Sequence, residues 1–219
     1  MTGVLLAILI LPVAAAVACL ALPGRAVSAV APTLTVGAGV ASFALVLALV
    51  PDTAHGTVSS LSGYLRADAV SVVFLLATGF LYAAVAIYTV GYLKSHHDVR
   101  YARRLYAGLN AFAWALLAAP LMGSLALLWI AVEVTTVVSA LLVAIEGTDG
   151  AAEAAWKYVL VASAGLGLAL LGTVFAYFAG AQVLGEHYNL GIGPLIGVAG
   201  QLPKTPVRLA FLLAVLGYG

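Results

Sequence analysis

The chain has 219 residues, of which 64% are hydrophobic and only 8% are charged, and its formal net charge is +1. A soluble domain usually carries about 25% charged residues, so this composition excludes an ordinary soluble domain. The net charge itself says nothing about nucleic-acid binding. The charged residues lie between five long stretches without Asp, Glu, Lys or Arg: Met1–Gly24, Ala26–Pro51, Ala69–Leu93, Leu105–Val132 and Tyr158–Gly185. Each is at least as long as the roughly 20 residues that a helix needs to cross a bilayer. The pattern therefore predicts an all-α polytopic membrane protein.

The apolar runs predict about seven transmembrane helices, in chain order at 3–22, 29–51, 68–92, 106–122, 124–146, 153–179 and 206–219. Pro23–Gly24 is predicted to end the first helix, and Pro51–Asp52 to end the second. The polar stretch "DTAHGTVSSLSGYLRAD" separates the second helix from the third. The 41 residues from Leu105 to Ile145 contain a single charge, which is too long for one span and suits two.

The C-terminal third contains two polar connections. In "EGTDGAAE", Asp149 is predicted to cap the sixth helix, and Glu153 suits the positive end of its dipole. The Gly-rich stretch "GAQVLGEHYNLGIGPLIGVAGQLPKTP" predicts a loop with a short interfacial helix. The last apolar run begins near Pro206 and spans roughly 21 Å by Gly219, short of a hydrocarbon core of roughly 30 Å. We therefore expect an N-terminal fragment of a longer protein.

The positive charges favour one orientation. If every helix crosses the membrane, one side carries five basic residues: Arg25, Lys94, Arg100, Arg103 and Arg104. The other side carries three: Arg66, Lys204 and Arg208. The excess predicts that the first side is cytoplasmic and that the N-terminus lies outside.

Glu133 is the candidate functional carboxylate, because it lies near the middle of the predicted fifth helix. A charge at that depth costs at least about 2.5–3.5 kcal/mol, and such groups usually face a cavity or a partner. The low dielectric favours the neutral carboxyl, which suits a group that takes up and releases protons. Thr136 and Ser139 lie nearby, so their hydroxyls could line a water-filled site. The alternative for Glu133 is a protonated side chain that joins two helices, and for the hydroxyls it is ordinary interhelical hydrogen bonding.

Three further features accompany Glu133. Lys157 lies about one turn into the sixth helix, and its alternative is a side chain that reaches the membrane surface. The difference in depth from Glu133 is roughly 12 Å, which predicts no direct salt bridge but allows a relay. Asn110 is a candidate interhelical hydrogen-bonding residue. A stripe of small residues on helix six is predicted to allow close packing of a neighbouring helix: Ala162, Gly165, Ala169, Gly172 and Ala176.

Several other patterns carry no site prediction. Cys19 is the single cysteine, and it suits a small buried residue rather than a ligand. His96, His97 and Asp98 are adjacent in one loop, so we expect solvated side chains and no metal site. The sequence contains no GxGxxG and no Walker motif, which gives no support to nucleotide binding. No cofactor is predicted for this chain.

The mid-helix glutamate in "WIAVEVTTVVSALLVA", followed by "EAAWKYVLVASAGLGLALLGTVFAYFAG", resembles the antiporter-like family of proton-translocating membrane subunits. The family occurs in respiratory complex I, Mrp-type cation/proton antiporters and group 4 membrane-bound hydrogenases. The closing "LAFLLAVLGYG" is most similar to the hydrogenase-4/formate hydrogenlyase branch. The motif-bearing match covers about 106–180 and 209–219, whereas residues 1–105 agree in layout only.

The resemblance implies a subunit of about fourteen helices with two inverted five-helix repeats. Residues 1–105 would form three peripheral helices, and residues 106–219 would open the first repeat with helices four to six and part of helix seven. The family's helix-five glutamate falls on Glu133, and its helix-six lysine falls on Lys157. The helix-seven lysine is expected beyond Gly219.

The function implied is proton translocation within a membrane-bound hydrogenase or complex I-like oxidoreductase of a prokaryotic-type cytoplasmic membrane. Other membrane subunits and a peripheral hydrogenase or dehydrogenase arm would be the partners, and redox chemistry would occur in them. Two alternatives stay open, a monovalent cation/proton antiporter subunit and a structural membrane scaffold.

Overall fold

The computed structural model describes residues 2–93, 98–185 and 187–219 and has an almost entirely helical fold. The seven longer helices are α1 Thr2–Ala21, α2 Gly24–Ala54, α3 Ala69–Tyr92, α4 Val99–Ala118, α5 Leu125–Ala144, α6 Asp149–Leu184 and α8 Lys204–Tyr218. The short helix α7, Ile192–Gly197, lies in the Gly-rich stretch where a short helix is predicted. Lys94, His96 and His97 lie outside the described residues, and so does the loop prediction that rests on them.

Within the described part of the chain, five helices are long and apolar enough to cross a membrane: α1, α2, α3, α5 and α6. Helix α4 carries Arg100, Arg103 and Arg104 in its first two turns, which lowers its hydropathy, and α8 has only 15 residues. These helices confirm the predicted class of an all-α integral membrane protein.

Several predicted helix ends are wrong because local capping was overlooked. Helix α4 begins at Val99 rather than 106, since the Asp98 carboxylate accepts a 2.8 Å hydrogen bond from the Arg100 amide. The predicted division at 105/106 therefore falls inside a helix. The side chain of Thr148, not that of Asp149, caps α6 by accepting a 3.1 Å hydrogen bond from the Ala151 amide.

Helix α2 also departs from the prediction at both ends. It begins at Gly24, five residues earlier than predicted, and it continues through Pro51 to Ala54. The Thr53 hydroxyl donates 3.1 Å hydrogen bonds to the carbonyls of Leu49 and Val50, which supports the last turn. Proline removes one backbone donor, and here that loss does not end the helix.

The polar stretch before α3 is a β-hairpin. Strands β1, Val58–Ser60, and β2, Leu65–Ala67, pair antiparallel, with Ser59 opposite Arg66. The turn between them has positive φ at Leu61, Ser62 and Gly63. Because the strands are only three residues long, their pairing depends on neighbouring segments for support.

Main-chain hydrogen bonds tie three connections together at the hairpin end of the bundle. The Gly123 amide donates to the Tyr64 carbonyl at 2.8 Å, and the Ile192 amide donates to the Gly123 carbonyl at 2.9 Å. The Leu125 amide also donates to the Leu190 carbonyl at 3.1 Å. Gly123 contacts the Gly63 carbonyl so closely that a Cβ at position 123 would overlap it. The loops after α2, α4 and α6 therefore lie at one end, as alternating helix directions require.

The small-residue stripe of α6 packs against α8. A Cβ on Gly172 would lie 2.9 Å from the Ala210 carbonyl oxygen and 3.0 Å from the Ala214 nitrogen. A Cβ on Gly165 would lie 3.1 Å from the Gly217 carbonyl oxygen. The close approach of the two backbones confirms the packing role predicted for this stripe.

Candidate functional site

Glu133 lies near the middle of α5, eight residues after Leu125 and eleven before Ala144. Its side chain faces α6, where the Ser163 hydroxyl donates a 2.7 Å hydrogen bond to Oε1. The two residues are 30 positions apart, and the antiparallel pairing of α5 and α6 brings them to the same depth. The carboxyl therefore lies between two helices rather than on a free helix face.

The second carboxyl oxygen of Glu133 is in a different environment. Oε2 is buried, and it has no hydrogen-bond partner among the described residues. Burying an unpaired oxygen of an ionised carboxylate costs free energy. A protonated carboxyl carries no charge and has a hydroxyl that can donate a hydrogen bond. The two oxygens thus differ: Oε1 accepts a hydrogen bond from Ser163, and Oε2 has no partner among the described residues.

Trp129 fixes the same helix pair one turn away. Its indole Nε1 donates a 2.8 Å hydrogen bond to the Leu166 carbonyl of α6. Trp129 and Glu133 are separated by four residues, so they share one face of α5. The sequence interpretation overlooked both Trp129 and Ser163. The i,i+4 spacing of Trp129 and Glu133 is the signal that could have identified the first.

Lys157 lies away from Glu133. Its ammonium forms an ion pair with Glu153, one turn earlier on α6, and the Lys157 side chain is 70% exposed. Lys157 is six residues before Ser163, which corresponds to roughly 9 Å along the helix axis and about 120° around it. The structure thus has no direct Glu133–Lys157 salt bridge, in agreement with the predicted difference in depth. A functional role for Lys157 stays a prediction.

The hydroxyl groups near Glu133 are bonded to their own helix. Thr136 donates to the Val132 carbonyl at 3.3 Å, and Ser139 donates to the Thr135 carbonyl at 2.8 Å. Neither is hydrogen-bonded to Glu133 in the described part of the chain. Each hydroxyl oxygen keeps acceptor capacity, and the role of both residues in lining a polar site stays a prediction.

Asn110 lies in a separate polar cluster at the centre of α1–α4. It is fully buried, and its Nδ2 donates to Thr35 Oγ1 at 2.8 Å and to the Tyr106 carbonyl at 2.7 Å. The Tyr82 hydroxyl donates to Asn110 Oδ1, and Cys19 Sγ lies 3.9 Å from Thr35 Oγ1. Every polar atom of the Asn110 side chain therefore has a partner, which is the arrangement of an interhelical hydrogen-bonding residue.

Among the described residues, no group of three or more His, Cys, Asp and Glu side chains is placed to hold a metal ion. The polar groups that the structure brings together near mid-bundle are instead a carboxyl, a hydroxyl and an indole. Such groups bind and orient protons or water.

Comparison with known proteins places this geometry in context. No protein-family model matches the sequence. The chain is 27% identical over 158 residues to the hydrogenase-4 component F homolog of Methylacidiphilum infernorum (isolate V4), an alignment that covers 69% of this chain and 33% of the relative. The hydrogenase-4 resemblance seen in the sequence is thus confirmed.

The fold is similar to that of a chain in the solved structure of the membrane-bound sulfane sulfur reductase (MBS), an archaeal respiratory membrane complex. The TM-score is 0.78 at 17% sequence identity, and the match covers 98% of this chain and 44% of that chain. The chain thus spans a third of the curated relative and under half of the solved chain.

Proposed function

We propose that this chain is part of a proton-translocating membrane subunit of a membrane-bound hydrogenase or complex I-like oxidoreductase, in which Glu133 is the intramembrane proton-binding carboxylate. The observation that carries the proposal is the asymmetric environment of Glu133 between α5 and α6. One oxygen accepts a hydrogen bond from Ser163, and the other is buried without a partner among residues 2–93, 98–185 and 187–219.

The placement of Glu133 suits reversible protonation. A charged side chain in the apolar part of a helical bundle is costly, and such residues usually have a functional role or a partner. The Ser163 hydroxyl can donate to Oε1 whether the carboxyl is neutral or ionised. Ser163 is therefore proposed to hold the orientation of Glu133 in both states, so that the proton enters and leaves at Oε2.

The neighbouring polar residues are given secondary roles. Thr136 and Ser139, whose hydroxyls keep acceptor capacity, are proposed to line the route to Glu133, and Asn110 to hold the adjacent bundle in register. Lys157 is proposed to act electrostatically, at a distance, when Glu153 does not neutralise it. A single charge pair at an exposed position contributes little to stability, which leaves this lysine free for such a role.

The comparisons support the setting of the proposal. Similarity to a hydrogenase-4 component and the fold of a chain from a respiratory membrane complex favour a subunit that works with partners. We propose other membrane subunits and a peripheral hydrogenase or dehydrogenase arm as those partners, with redox chemistry in the arm. The excess of basic residues around the first and third connections, most of them in the first two turns of α2 and α4, favours an N-terminus outside a prokaryotic-type cytoplasmic membrane.

The proposal is tested with a Glu133→Gln substitution in the complete complex, reconstituted in liposomes. Gln keeps the shape and the hydrogen bond from Ser163 but cannot exchange a proton. We expect proton uptake per redox turnover to fall at least tenfold while assembly is unchanged. Glu146→Gln, at an exposed position just beyond α5, is the matched control and should retain proton uptake.

Two outcomes would contradict the proposal. Unchanged proton uptake in an intact Glu133→Gln complex would indicate a structural scaffold, in which the glutamate only joins helices. Ion movement that requires sodium and persists when the proton gradient is collapsed would indicate a cation/proton antiporter subunit.

A further inference from the structure

Arg66 lies between two cavities at the hairpin end of the bundle. The first has a mixed polar and apolar lining and a volume of about 490 Å³. It is bounded by the hairpin, the α4–α5 connection and the segment that leads into α7, and its polar lining includes Ser59, Ser62, Arg66, Ser124 and Asn189. Its position just before α3 corresponds to the level of the membrane surface, where polar lipid groups lie.

The second cavity is an apolar groove of about 560 Å³ that also includes Arg66. It follows α3 and is closed by the end of α4 and the start of α5, with a lining that includes Val70, Phe74, Thr78, Leu116 and Leu128. From Ala69 to Thr78 the helix rises roughly 14 Å, which is close to the depth of one leaflet of a core about 30 Å thick. The groove therefore extends from the membrane surface towards its middle.

The Arg66 guanidinium is only partly paired. Nη2 forms a 3.1 Å salt bridge with Asp68 Oδ2, and Asp68 uses Oδ1 to accept hydrogen bonds from the Ser71 amide and hydroxyl. Nε of Arg66 is buried without a hydrogen-bond partner among the described residues. Nη1 lies beside Gly193, since a Cβ built on this glycine would be 3.7 Å from Nη1. Gly193 also lines the first cavity.

We propose that Arg66 marks a phospholipid-binding site, in which the lipid phosphate contacts the Arg66 guanidinium where it lines the two cavities, and one acyl chain fills the groove along α3. A guanidinium presents donors in a planar fork that matches a phosphate. The two adjoining cavities, one of mixed lining beside the Arg66 guanidinium and one apolar along α3, match the headgroup and an acyl chain of a single lipid. This site is separate from Glu133 and does not depend on the proposed proton translocation.

The test uses native mass spectrometry of the complete complex in non-ionic detergent, titrated with phosphatidylglycerol. Arg66→Gln should weaken the highest-affinity phosphatidylglycerol binding about tenfold or more, because a hydrogen-bonded charge contact is lost. Arg208→Gln removes an exposed positive charge of the same predicted membrane side and should leave that affinity unchanged. Inorganic phosphate is titrated in parallel.

A second pair of variants tests the groove. Thr78→Phe places a ring in the apolar groove and should lower lipid occupancy at least several-fold. Val73→Phe, at a highly exposed position of the same helix outside the groove lining, should not. Both variants introduce Phe, an apolar residue that a membrane helix tolerates. Lipid occupancy is compared only between complexes that have assembled, so a loss of lipid is distinguished from a loss of folding.

The site would be overturned by unchanged phosphatidylglycerol affinity in Arg66→Gln, or by equal lipid binding in Thr78→Phe and Val73→Phe. Inorganic phosphate that binds at Arg66 as tightly as the lipid would also overturn it. So would density from a helix of a neighbouring subunit in the groove of the complete complex.

Discussion

Ser163 of α6 donates a 2.7 Å hydrogen bond to Oε1 of Glu133 on α5, and the other Glu133 oxygen is buried without a partner in the part of the chain that the structure describes. Removing the hydroxyl would free the carboxyl to rotate and would leave both oxygens without a donor. A hydrogen bond to a charged group is worth about 1.5–3 kcal/mol, so Ser163→Ala should slow proton translocation about tenfold or more. It should also shift the pH profile of proton flux measured in liposomes.

The controls for Ser163 separate positioning from packing. Ser163→Thr keeps a hydroxyl and should restore most of the flux. Thr89→Val removes a hydroxyl that is bonded to its own helix on α3, away from Glu133, and should leave the pH profile unchanged. An unaltered pH profile in Ser163→Ala would show that the serine does not act through Glu133.

The Asn110 cluster should contribute to stability. Asn110→Ala would leave the Tyr82 hydroxyl and the Thr35 hydroxyl without their present partner in a fully buried site. Hydrogen bonds between membrane helices contribute about 0.6–1.7 kcal/mol each, so we expect destabilisation of about 1–3 kcal/mol. Thermal unfolding in detergent measures it, with Thr33→Ala as the control because Thr33 is exposed and bonded to its own helix. Equal unfolding temperatures for the two variants would contradict a clamping role.

The α6–α8 contact predicts opposite effects at two glycines of one helix. Gly172→Ala would place a Cβ about 3 Å from the α8 backbone, so α8 must move away. Overpacking of this kind typically costs about 1–3 kcal/mol. At Gly167 a Cβ meets nothing within 4 Å, and Gly167→Ala should be neutral or stabilising by up to about 1 kcal/mol. The free energy of unfolding of each variant in detergent checks the pair, and equal destabilisation would contradict the packing.

The Asp68 carboxylate, which caps the start of α3, is expected to make the free energy of unfolding depend on pH. The hydrogen bond from the Ser71 amide, together with the Ser71 hydroxyl and Arg66, holds the pKa of Asp68 below its usual value near 3.8. Because the folded pKa is lower than the unfolded pKa, the stabilisation is fully present above the unfolded pKa. It is lost as the pH falls through the folded pKa.

Asp68→Ala should therefore lower stability at pH 7 by about 1 kcal/mol, the usual contribution of a helix cap, and the difference from wild type should narrow below about pH 4. Asp68→Asn keeps a capping side chain that does not titrate, so it should show a smaller loss at pH 7. Unfolding temperatures measured across this pH range provide the check. A difference that stays constant with pH would contradict the assignment.

The order of the helices was predicted more accurately than the residues at which they begin and end. Long uncharged runs have one physical solution in a bilayer, so the order of the seven longer helices follows from hydropathy alone. The starts of α4 and α6 depend on single side chains, Asp98 and Thr148, that accept a backbone hydrogen bond. A hydropathy profile does not show such capping hydrogen bonds. The β-hairpin was missed because its support comes from Gly123 and the chain near Ile192, far away in the sequence.

The candidate site was predicted in part. Glu133 is visible because one charge interrupts an apolar run, and its energetic cost can be estimated without coordinates. Ser163 was not predicted, because its importance depends on which face of α6 meets α5. For Lys157, too, the sequence indicated the depth of the side chain but not its partner. Its depth was estimated correctly enough to exclude a salt bridge with Glu133, but its pairing with Glu153 was not predicted.

The main-chain ties between Tyr64, Gly123 and Ile192 also constrain how the helices can move. They hold together the ends of α3, α5 and α6 that lie beside the hairpin, so a change in spacing between these helices is expected to be a tilt about that end rather than sliding. The amplitude of such a tilt grows with distance from the pivot. Glu133 lies roughly 12 Å along α5 from Leu125, and the Trp129 bond to α6 lies between them. The joined loops and the Trp129 bond therefore hold α5 and α6 together on the hairpin side of the contact between Glu133 and Ser163.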